Sequence, residues 1–350
     1  MKLSYCKYLK CFCGSELHNA YGFQNGEFKP LDANQDTVVE TGILVCGGCR
    51  RAYPINNRVL YMLPESLPDR SAESFFRKHS TCLPKGIKIP SFARAHDVSD
   101  PVAENKKKEM KARDEQADKY HTYLVQAYAS NEQKVFSRFL QPAASDIIVE
   151  LGCGTGKITC EIIKAGFKDL IAMDFSEASI RLLLEKLDER TKNRILFIKA
   201  DACNLPLKSQ ISDKCVSAQV FEHIPGMQEQ EKFIIELRRI LKPSGIATMT
   251  VYNLNIRKKL QKAAKGYHEG SIYFENFTKK EIKKVFERHF TIDQLFGINC
   301  YFPFFYKTGP SFQHFMEKIL SKSPLNSFLG NILFLSLKSR KEPIKLPTKE

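Results

Sequence analysis

The chain has 350 residues, a length that allows about two domains. Its 54 lysines and arginines outnumber its 39 aspartates and glutamates, and the net charge of +15 is compatible with a nucleic-acid partner without being specific for one. No apolar run approaches the roughly 18 residues that a membrane-spanning helix needs, so we expect a soluble protein. Eleven cysteines and a Met1–Lys10 segment without a signal-peptide core predict a reducing, cytoplasmic location.

Two closely spaced cysteine pairs mark the first 64 residues. The four candidate metal ligands are Cys11, Cys13, Cys46 and Cys49. Four thiolates suit Zn²⁺, which is borderline soft and has no geometric preference of its own, and a segment this short needs a metal in place of a core. We therefore predict a zinc site in a small domain over residues 1–64. Cys6 also lies within ligand spacing of Cys11, so the first two ligands stay open, as does a ribbon with free thiols.

A family resemblance begins at Cys46, where the sequence reads CGGCRRAYPINNRVLYMLP. This stretch resembles the second half of the small zinc-ribbon family that activates tRNA methyltransferases, in which a cysteine pair precedes Tyr-Pro-Ile, a turn and an apolar strand ending in Leu-Pro. The first pair departs from the family, because one residue separates Cys11 from Cys13 where the family has two. Leu17 matches the family's leucine and supports Cys13. Similar ribbons precede methyltransferase domains, including those of the 23S rRNA guanine-N1 methyltransferases.

Two further segments are polar. Residues 65–114 contain several prolines and a lysine run at 106–108, and we predict that they form a linker. Residues 341–350 form a basic tail. Between these segments, residues 115–340 are expected to fold as one larger domain.

A buried strand and a glycine-rich turn carry the strongest functional signal. The apolar run Ile147–Leu151 is typical of a strand covered on both faces by helices. Gly152, Gly154 and Gly156 then follow, and glycines allow positive φ and close approach of a ligand to the backbone. The spacing is G-x-G-x-G and not the dinucleotide fingerprint G-x-G-x-x-G, although a nicotinamide enzyme remains the main competing interpretation.

Carboxylates follow the next two predicted strands. The run Asp169–Asp174 ends in a carboxylate that can accept hydrogen bonds from ribose hydroxyls. Ser176 is placed to cap the following helix. A third run, 195–200, is followed by Asp201. Strands at 291–298 and 331–337 complete a predicted set of seven.

The ordered motifs resemble those of class I S-adenosylmethionine-dependent methyltransferases. Glu150 and the three glycines match the family's first motif, and Asp201-Ala-Cys-Asn-Leu-Pro206 is similar to its adenine-side segment. The segment Val220–Ile224, after the fourth strand, resembles the methyltransferase type 11 group. The resemblance implies an α/β fold with a Rossmann-like, seven-stranded sheet.

The same resemblance implies a cofactor site. Glu150 and the glycine turn would hold the methionine part, Asp174 the ribose, Asp201 and Ala202 the adenine, and the segment from Gln219 the floor. Arg113–Tyr120 resembles a segment whose tyrosine closes over the cofactor. The full set of implied cofactor-binding residues is Glu150, Gly152, Cys153, Gly154, Thr155, Gly156, Asp174, Phe175, Asp201, Ala202, Gln219 and Tyr120.

Three functions are compatible with these motifs. The favoured one is a methyltransferase acting on a small-molecule or lipid-like acceptor, because Val220–Ile224 resembles the type 11 group. An rRNA or tRNA methyltransferase is the alternative, favoured by the ribbon and by the lysine-rich segment 257–284. The third is a non-catalytic module that keeps the cofactor fold. His223 is the candidate general base, with a purely structural histidine as the competing interpretation.

Overall fold

The computed structural model describes most of the chain. The described residues are 1–32, 37–67, 69–91, 100–119, 126–268, 272–300, 310–320, 323 and 325–340. Tyr120 and the predicted tail 341–350 lie outside them. Within this described part, no helix is both long enough and apolar enough to cross a lipid bilayer.

The amino-terminal strands form an antiparallel meander. A 3-10 helix at Leu3–Tyr8 precedes strands β1 Leu17–Gln24, β2 Glu27–Leu31, β3 Gly42–Cys46, β4 Ala52–Asn56 and β5 Val59–Tyr61. Their spatial order is β2-β1-β3-β4-β5. Strands β3 and β5 are buried along their whole lengths, because both faces are covered.

The remaining strands confirm the predicted α/β fold and its seven-stranded sheet. They are β6 Ile147–Leu151, β7 Asp169–Asp174, β8 Ile195–Lys199, β9 Ser212–Ala218, β10 Leu241–Tyr252, β13 Phe290–Cys300 and β14 Gly330–Ser339. Their order is β13-β14-β10-β9-β6-β7-β8, with β14 antiparallel to both of its neighbours. Strands β11 Lys265–His268 and β12 Ile272–Glu275 form a separate hairpin.

Helices cover both faces of the sheet. They are α1 Arg70–Lys78, α2 Pro101–Gln116, α3 Gln126–Leu140, α4 Thr159–Ala165, α5 Glu177–Glu185, α6 Glu189–Lys192, α7 Met227–Ile240, α8 Ile256–Leu260, α9 Lys279–Phe286, α10 Pro310–Leu320 and α11 Asn326–Leu329. Along β7, Leu170 and Ala172 pack into one core cluster while Ile171 and Met173 pack into the other. Burial on both faces explains why these strands read as continuous apolar runs.

The amino-terminal meander continues the sheet of the larger domain. Strand β5 pairs in parallel with β8, with Leu60 opposite Ile198. The Met62 N–H also donates to the Lys199 carbonyl at 2.9 Å. One twelve-stranded sheet therefore runs through both regions, where the sequence predicts a separate domain over residues 1–64.

The segment predicted as a linker contains two helices. Helix α1 buries Phe75 and Phe76 against the meander. Helix α2, Pro101–Gln116, includes the lysine run and buries the charged residues Lys106 and Glu109. Because charged residues occupy part of the buried face of α2, its apolar residues do not form a continuous stripe. The spacing of apolar residues therefore does not predict this helix.

Candidate cofactor and acceptor site

The glycine turn after β6 is built as its sequence requires. Gly152 and Gly154 have φ of +76° and +51°, which favour glycine. A Cβ at Gly152 would lie 2.2 Å from a Val220 methyl carbon, whereas a Cβ at Gly154 would meet no protein atom within 4 Å. Gly152 is therefore needed for packing, and Gly154 leaves the backbone open to a ligand in the adjoining cleft.

Asp174, at the end of β7, fixes this turn. Its Oδ2 accepts a hydrogen bond from the Gly154 N–H at 2.8 Å, and its Oδ1 accepts one from the Ser176 N–H at 2.9 Å. Burial raises the pKa of Asp174 above its ordinary value, and these two hydrogen bonds oppose that shift. Ser176 also caps α5, as predicted, by accepting from the Ser179 N–H. Each carboxylate oxygen keeps a second lone pair for a hydroxyl group.

Asp201, just beyond β8, is held from the opposite wall of the cleft. Its Oδ2 lies 2.7 Å from the Nζ of Lys106, which also lies 2.5 Å from the Oε2 of Glu229. The Asp201 Oδ1 accepts from the Cys203 N–H at 2.9 Å. Burial lowers the pKa of Lys106, but Asp201, Cys203 and Glu229 together outweigh burial and hold that pKa above its ordinary value. Lys106 is therefore a permanent cation that ties α2 to the Asp201 carboxylate.

Helix α2 contributes two more charged groups to the cleft. Glu109 is almost fully buried, and burial raises its pKa to about 7 while Arg113 opposes the shift. Lys106, Glu109 and Arg113 lie along one side of the helix, and all three line the cleft. Sequence reasoning missed Lys106 and Glu109 because it looked for apolar periodicity in this segment.

Most of the predicted cofactor residues surround this single cleft. Those that line it are Glu150, Gly152, Cys153, Gly154, Thr155, Asp174, Phe175, Asp201, Ala202 and Gln219. Gly156 does not line it; a Cβ there would lie 2.5 Å from a Leu183 methyl carbon, so this glycine serves helix packing. Tyr120 lies outside the described residues.

Glu150 forms the inner end of the cleft. Its Oε2 accepts from the Thr159 hydroxyl at 2.7 Å. Burial raises its pKa to about 8, although the Thr159 hydrogen bond opposes the shift. Glu150 therefore carries a proton at neutral pH in the free protein and can donate a hydrogen bond.

Gln219 directly follows β9 and has a left-handed conformation, with φ of 56°. Its Nε2 donates to the Oε2 of Glu132 at 2.8 Å, and Glu132 also pairs with Lys157 at 2.6 Å. The Thr250 hydroxyl donates to the other Glu132 oxygen. This network holds Gln219 in its strained conformation beside the cleft. Residues with a strained backbone often cluster at functional sites.

His223 lines the cleft and lies in the 3-10 helix Phe221–His223. Its Nδ1 is 2.7 Å from the Tyr273 carbonyl of the β11–β12 hairpin, and because a carbonyl only accepts, Nδ1 carries the proton. Burial, aided by the Arg113 charge, lowers the pKa of His223 well below its ordinary value. The imidazole is therefore neutral, and its lone pair is on Nε2.

The four predicted cysteines form one cluster in the amino-terminal meander. The Sγ atoms of Cys11, Cys13, Cys46 and Cys49 all lie within 4.8 Å of one another. The Cys11–Cys49 and Cys13–Cys46 sulfur distances are both 3.5 Å, close to the roughly 3.8 Å expected between thiolates on a tetrahedral zinc with bonds of about 2.3 Å. Cys6 lies outside this cluster, in the apolar core. The donor set thus fits zinc, with Cys13 and not Cys6 in the fourth position.

The strand order and the cleft at the carboxyl ends of the strands define the class I S-adenosylmethionine-dependent methyltransferase fold. Residues 149–249 match the family described as a methyltransferase domain. This match spans the glycine turn, Asp174 and Asp201, and it confirms the predicted resemblance to methyltransferases.

Curated relatives match the same region. A tRNA (carboxymethyluridine(34)-5-O)-methyltransferase of Arabidopsis thaliana is 31% identical over 115 residues, which cover 33% of this chain and 26% of that protein. A ubiquinone/menaquinone biosynthesis C-methyltransferase of Acidiphilium cryptum is 28% identical over 115 residues, covering 32% of this chain and 45% of that protein. The chain spans about half or less of the length of the curated relatives that it matches.

A solved structure extends the likeness to most of the fold. A chain from a Haloferax volcanii complex containing the Trm112 methyltransferase activator aligns with a TM-score of 0.50 at 15% identity. The alignment covers 67% of this chain and 98% of that chain. At this identity the likeness shows the fold alone.

Proposed function

We propose that this protein is an S-adenosylmethionine-dependent methyltransferase with a zinc ribbon built into its sheet. The observation that carries the proposal is the placement of Asp174, Asp201 and the open Gly154 around one cleft. A nucleoside with a charged amino-acid arm needs acceptors for its sugar hydroxyls and its base, together with a backbone free of side chains. The cleft offers all three.

Each part of the cleft has a proposed role toward the cofactor. Asp174 accepts from the ribose hydroxyls and Asp201 from the adenine amino group. Glu150, Arg113 and the glycine turn surround the methionine arm. When bound, S-adenosylmethionine supplies a methyl group on a sulfonium, and transfer to an aligned nucleophile needs little acid-base help. The rigid turn and the Gln219 floor supply that alignment.

His223 is the proposed proton acceptor. Its neutral ring donates through Nδ1 to the Tyr273 carbonyl, so Nε2 is free to take a proton from an acceptor hydroxyl or amine. His223 would take the acceptor's proton on Nε2 while the acceptor atom receives the methyl group that the bound cofactor would supply. The low pKa of His223 keeps the base in its neutral form through neutral and mildly acidic pH.

The acceptor that we propose is a small-molecule or lipid-like compound. The Val220–Ile224 segment resembles the type 11 group, and one relative is named for ubiquinone/menaquinone biosynthesis. RNA is the second candidate, because the chain has a net charge of +15 and another relative is named as a tRNA methyltransferase. Both candidates place the acceptor beside His223.

Transfer of a labelled methyl group into a cell extract tests the proposal. The extract is separated into organic-soluble, RNA and protein fractions after incubation with the full chain and labelled S-adenosylmethionine. We expect label in the organic-soluble fraction, and none with the Asp174→Ala variant. Label in RNA supports the second candidate, and cofactor binding without any transfer supports a non-catalytic module.

A further inference from the structure

Exposed apolar side chains are concentrated in two segments of the described chain. Apart from Ile89 and Met227, every exposed large apolar side chain lies between residues 256 and 267 or between 312 and 328. Leu260 is 80% exposed and Phe315 is 59% exposed. Clusters of exposed apolar groups are unusual on soluble monomers and mark interaction sites.

Helix α10 presents an apolar face outward. Phe312, Phe315 and Ile319 have i, i+3, i+7 spacing, so they lie on one side of the helix, and all three are exposed. A surface helix of a globular protein normally turns such a stripe toward the core. The outward stripe therefore needs an apolar partner beyond the described residues.

Hydrogen bonds link the residues just before α8 to α11 and to the start of β14. The Nδ2 of Asn253 donates to the Ser327 carbonyl at 2.8 Å, and the Nδ2 of Asn255 donates to the Oδ1 of Asn331 at 3.0 Å. Helix α8 packs on α11, and α10 and α11 both pack on β13. We refer to the exposed side chains of this region, residues 256–267 and 312–328, as the apolar-basic surface.

Cations lie among the apolar groups of the first of these two segments. Residues 256–268 include one arginine and four lysines and no acidic residue. Lys259, Lys262 and Lys265 are exposed, and none of them forms an ion pair with a carboxylate of the described residues. A basic rim around an apolar face is complementary to anionic lipid headgroups over acyl chains.

The apolar-basic surface borders the acceptor end of the cleft. The segment 256–268 runs directly into the β11–β12 hairpin, whose Tyr273 carbonyl orients His223. The ring of His268, at the end of β11, lies 6.4 Å from the ring of His223. A surface bound here would therefore deliver an acceptor to the side of the cleft where the proposed base lies.

We propose that the apolar-basic surface docks on an anionic lipid bilayer and that the methyl acceptor is a lipid-like molecule resident in that bilayer. The proposal rests on the proposed methyltransferase function and names its substrate class. Phosphates of RNA would pair with the lysines but would leave Ile256, Leu260 and the α10 stripe in water. A bilayer interface satisfies both sets of groups, and it requires no membrane-spanning helix.

Vesicle co-sedimentation of the full chain tests this proposal. Phosphatidylcholine vesicles with and without phosphatidylglycerol are the probes. We expect binding only with phosphatidylglycerol, and about a tenfold loss of affinity for Leu260→Ser, for Phe315→Ser and for Lys262→Glu. Ile89→Ser and Lys29→Glu alter exposed residues in the amino-terminal half and serve as matched controls that bind as the parent does.

Two further measurements make the outcome decisive. Binding of a transfer RNA is measured with the same variants, and binding of S-adenosylmethionine is measured in parallel. The membrane proposal is overturned if the parent protein fails to bind anionic vesicles. It is also overturned if the protein binds RNA tightly and this binding is abolished by Lys262→Glu but unchanged by Leu260→Ser. If the parent protein binds S-adenosylmethionine but not anionic vesicles, the membrane surface alone is rejected. If the parent protein does not bind S-adenosylmethionine, the proposed function is rejected.

Discussion

The two halves of the twelve-stranded sheet are stabilised by different means. In the catalytic half, strands β6 to β9 are buried on both faces between two large apolar clusters. In the amino-terminal half, the meander has one small cluster of its own, which includes Ile43 and Val45, and gathers four cysteine sulfurs at one end. The amino-terminal half also shares one of the two large clusters with the rest of the sheet, through residues such as Leu17, Tyr53 and Leu60. We therefore expect the first half to be held by its core, and the second by that shared cluster together with the four-cysteine site.

The seam between the halves is polar and buried. Lys199 of β8 pairs with Asp69 at 2.9 Å, and both side chains are almost fully buried. Tyr61 of β5 donates to Glu177 at 2.8 Å. Asp201 lies two residues beyond Lys199, so the seam is adjacent to the adenine side of the cleft. Breaking the ribbon, the seam or the cleft separately therefore tests how far the two halves depend on each other.

Loss of the metal site should have the largest effect. In Cys46→Ser we expect bound zinc to disappear and the amino-terminal half to unfold, because structural zinc contributes on the order of 10 kcal/mol to folding. Metal analysis and thermal denaturation measure the two effects. Cys82→Ser, outside the cluster, is the control and should keep one zinc per chain. Less than half an equivalent of zinc in the parent protein would contradict the assignment.

Breaking the seam should have the next largest effect. Lys199→Met leaves the Asp69 carboxylate buried without its cation, and removal of one partner from a buried pair costs about 3–5 kcal/mol. Urea denaturation measures this loss. The exposed pair Arg77–Glu73 provides the contrast, because Arg77→Ala should change the free energy of unfolding by less than about 0.5 kcal/mol. Equal losses in the free energy of unfolding for the two variants would show that the buried Lys199–Asp69 pair contributes no more than an exposed pair.

A smaller, pH-dependent effect is expected inside the catalytic half. Glu150 has an ordinary pKa of 4.5, raised to about 8 in the folded protein. As pH rises through this window the unfolded chain ionises while the folded chain does not, so the parent protein loses stability. Glu150→Gln removes this loss, and its melting temperature relative to the parent should therefore rise between pH 5 and pH 8. A melting-temperature difference between Glu150→Gln and the parent protein that does not change with pH would contradict a protonated Glu150.

The sequence predicted the catalytic half better than the seam, for physical reasons. Asp174 and Asp201 each follow a parallel strand, and both line one cleft because the carboxyl ends of parallel strands share one edge of a sheet. Helix α2 escaped prediction because its buried face carries Lys106 and Glu109, whose partners come from distant parts of the chain. Strand β5 has only three residues, and nothing in them specifies β8 as a partner.

Calorimetric titration with S-adenosylmethionine tests the central claim, that the open glycine turn and its two carboxylates form the cofactor site. Gly154→Ala and Gly166→Ala both place a Cβ at positive φ where no protein atom obstructs it. Gly166, with φ of 93° and ψ of 150°, is the more strained position for alanine and is therefore a stringent control for backbone strain. Of these two glycines, only Gly154 lines the cleft. We predict that the parent protein and Gly166→Ala bind with similar affinity, while Gly154→Ala binds about tenfold more weakly or worse. Equal affinity of all three proteins, or no binding by the parent, would contradict the account.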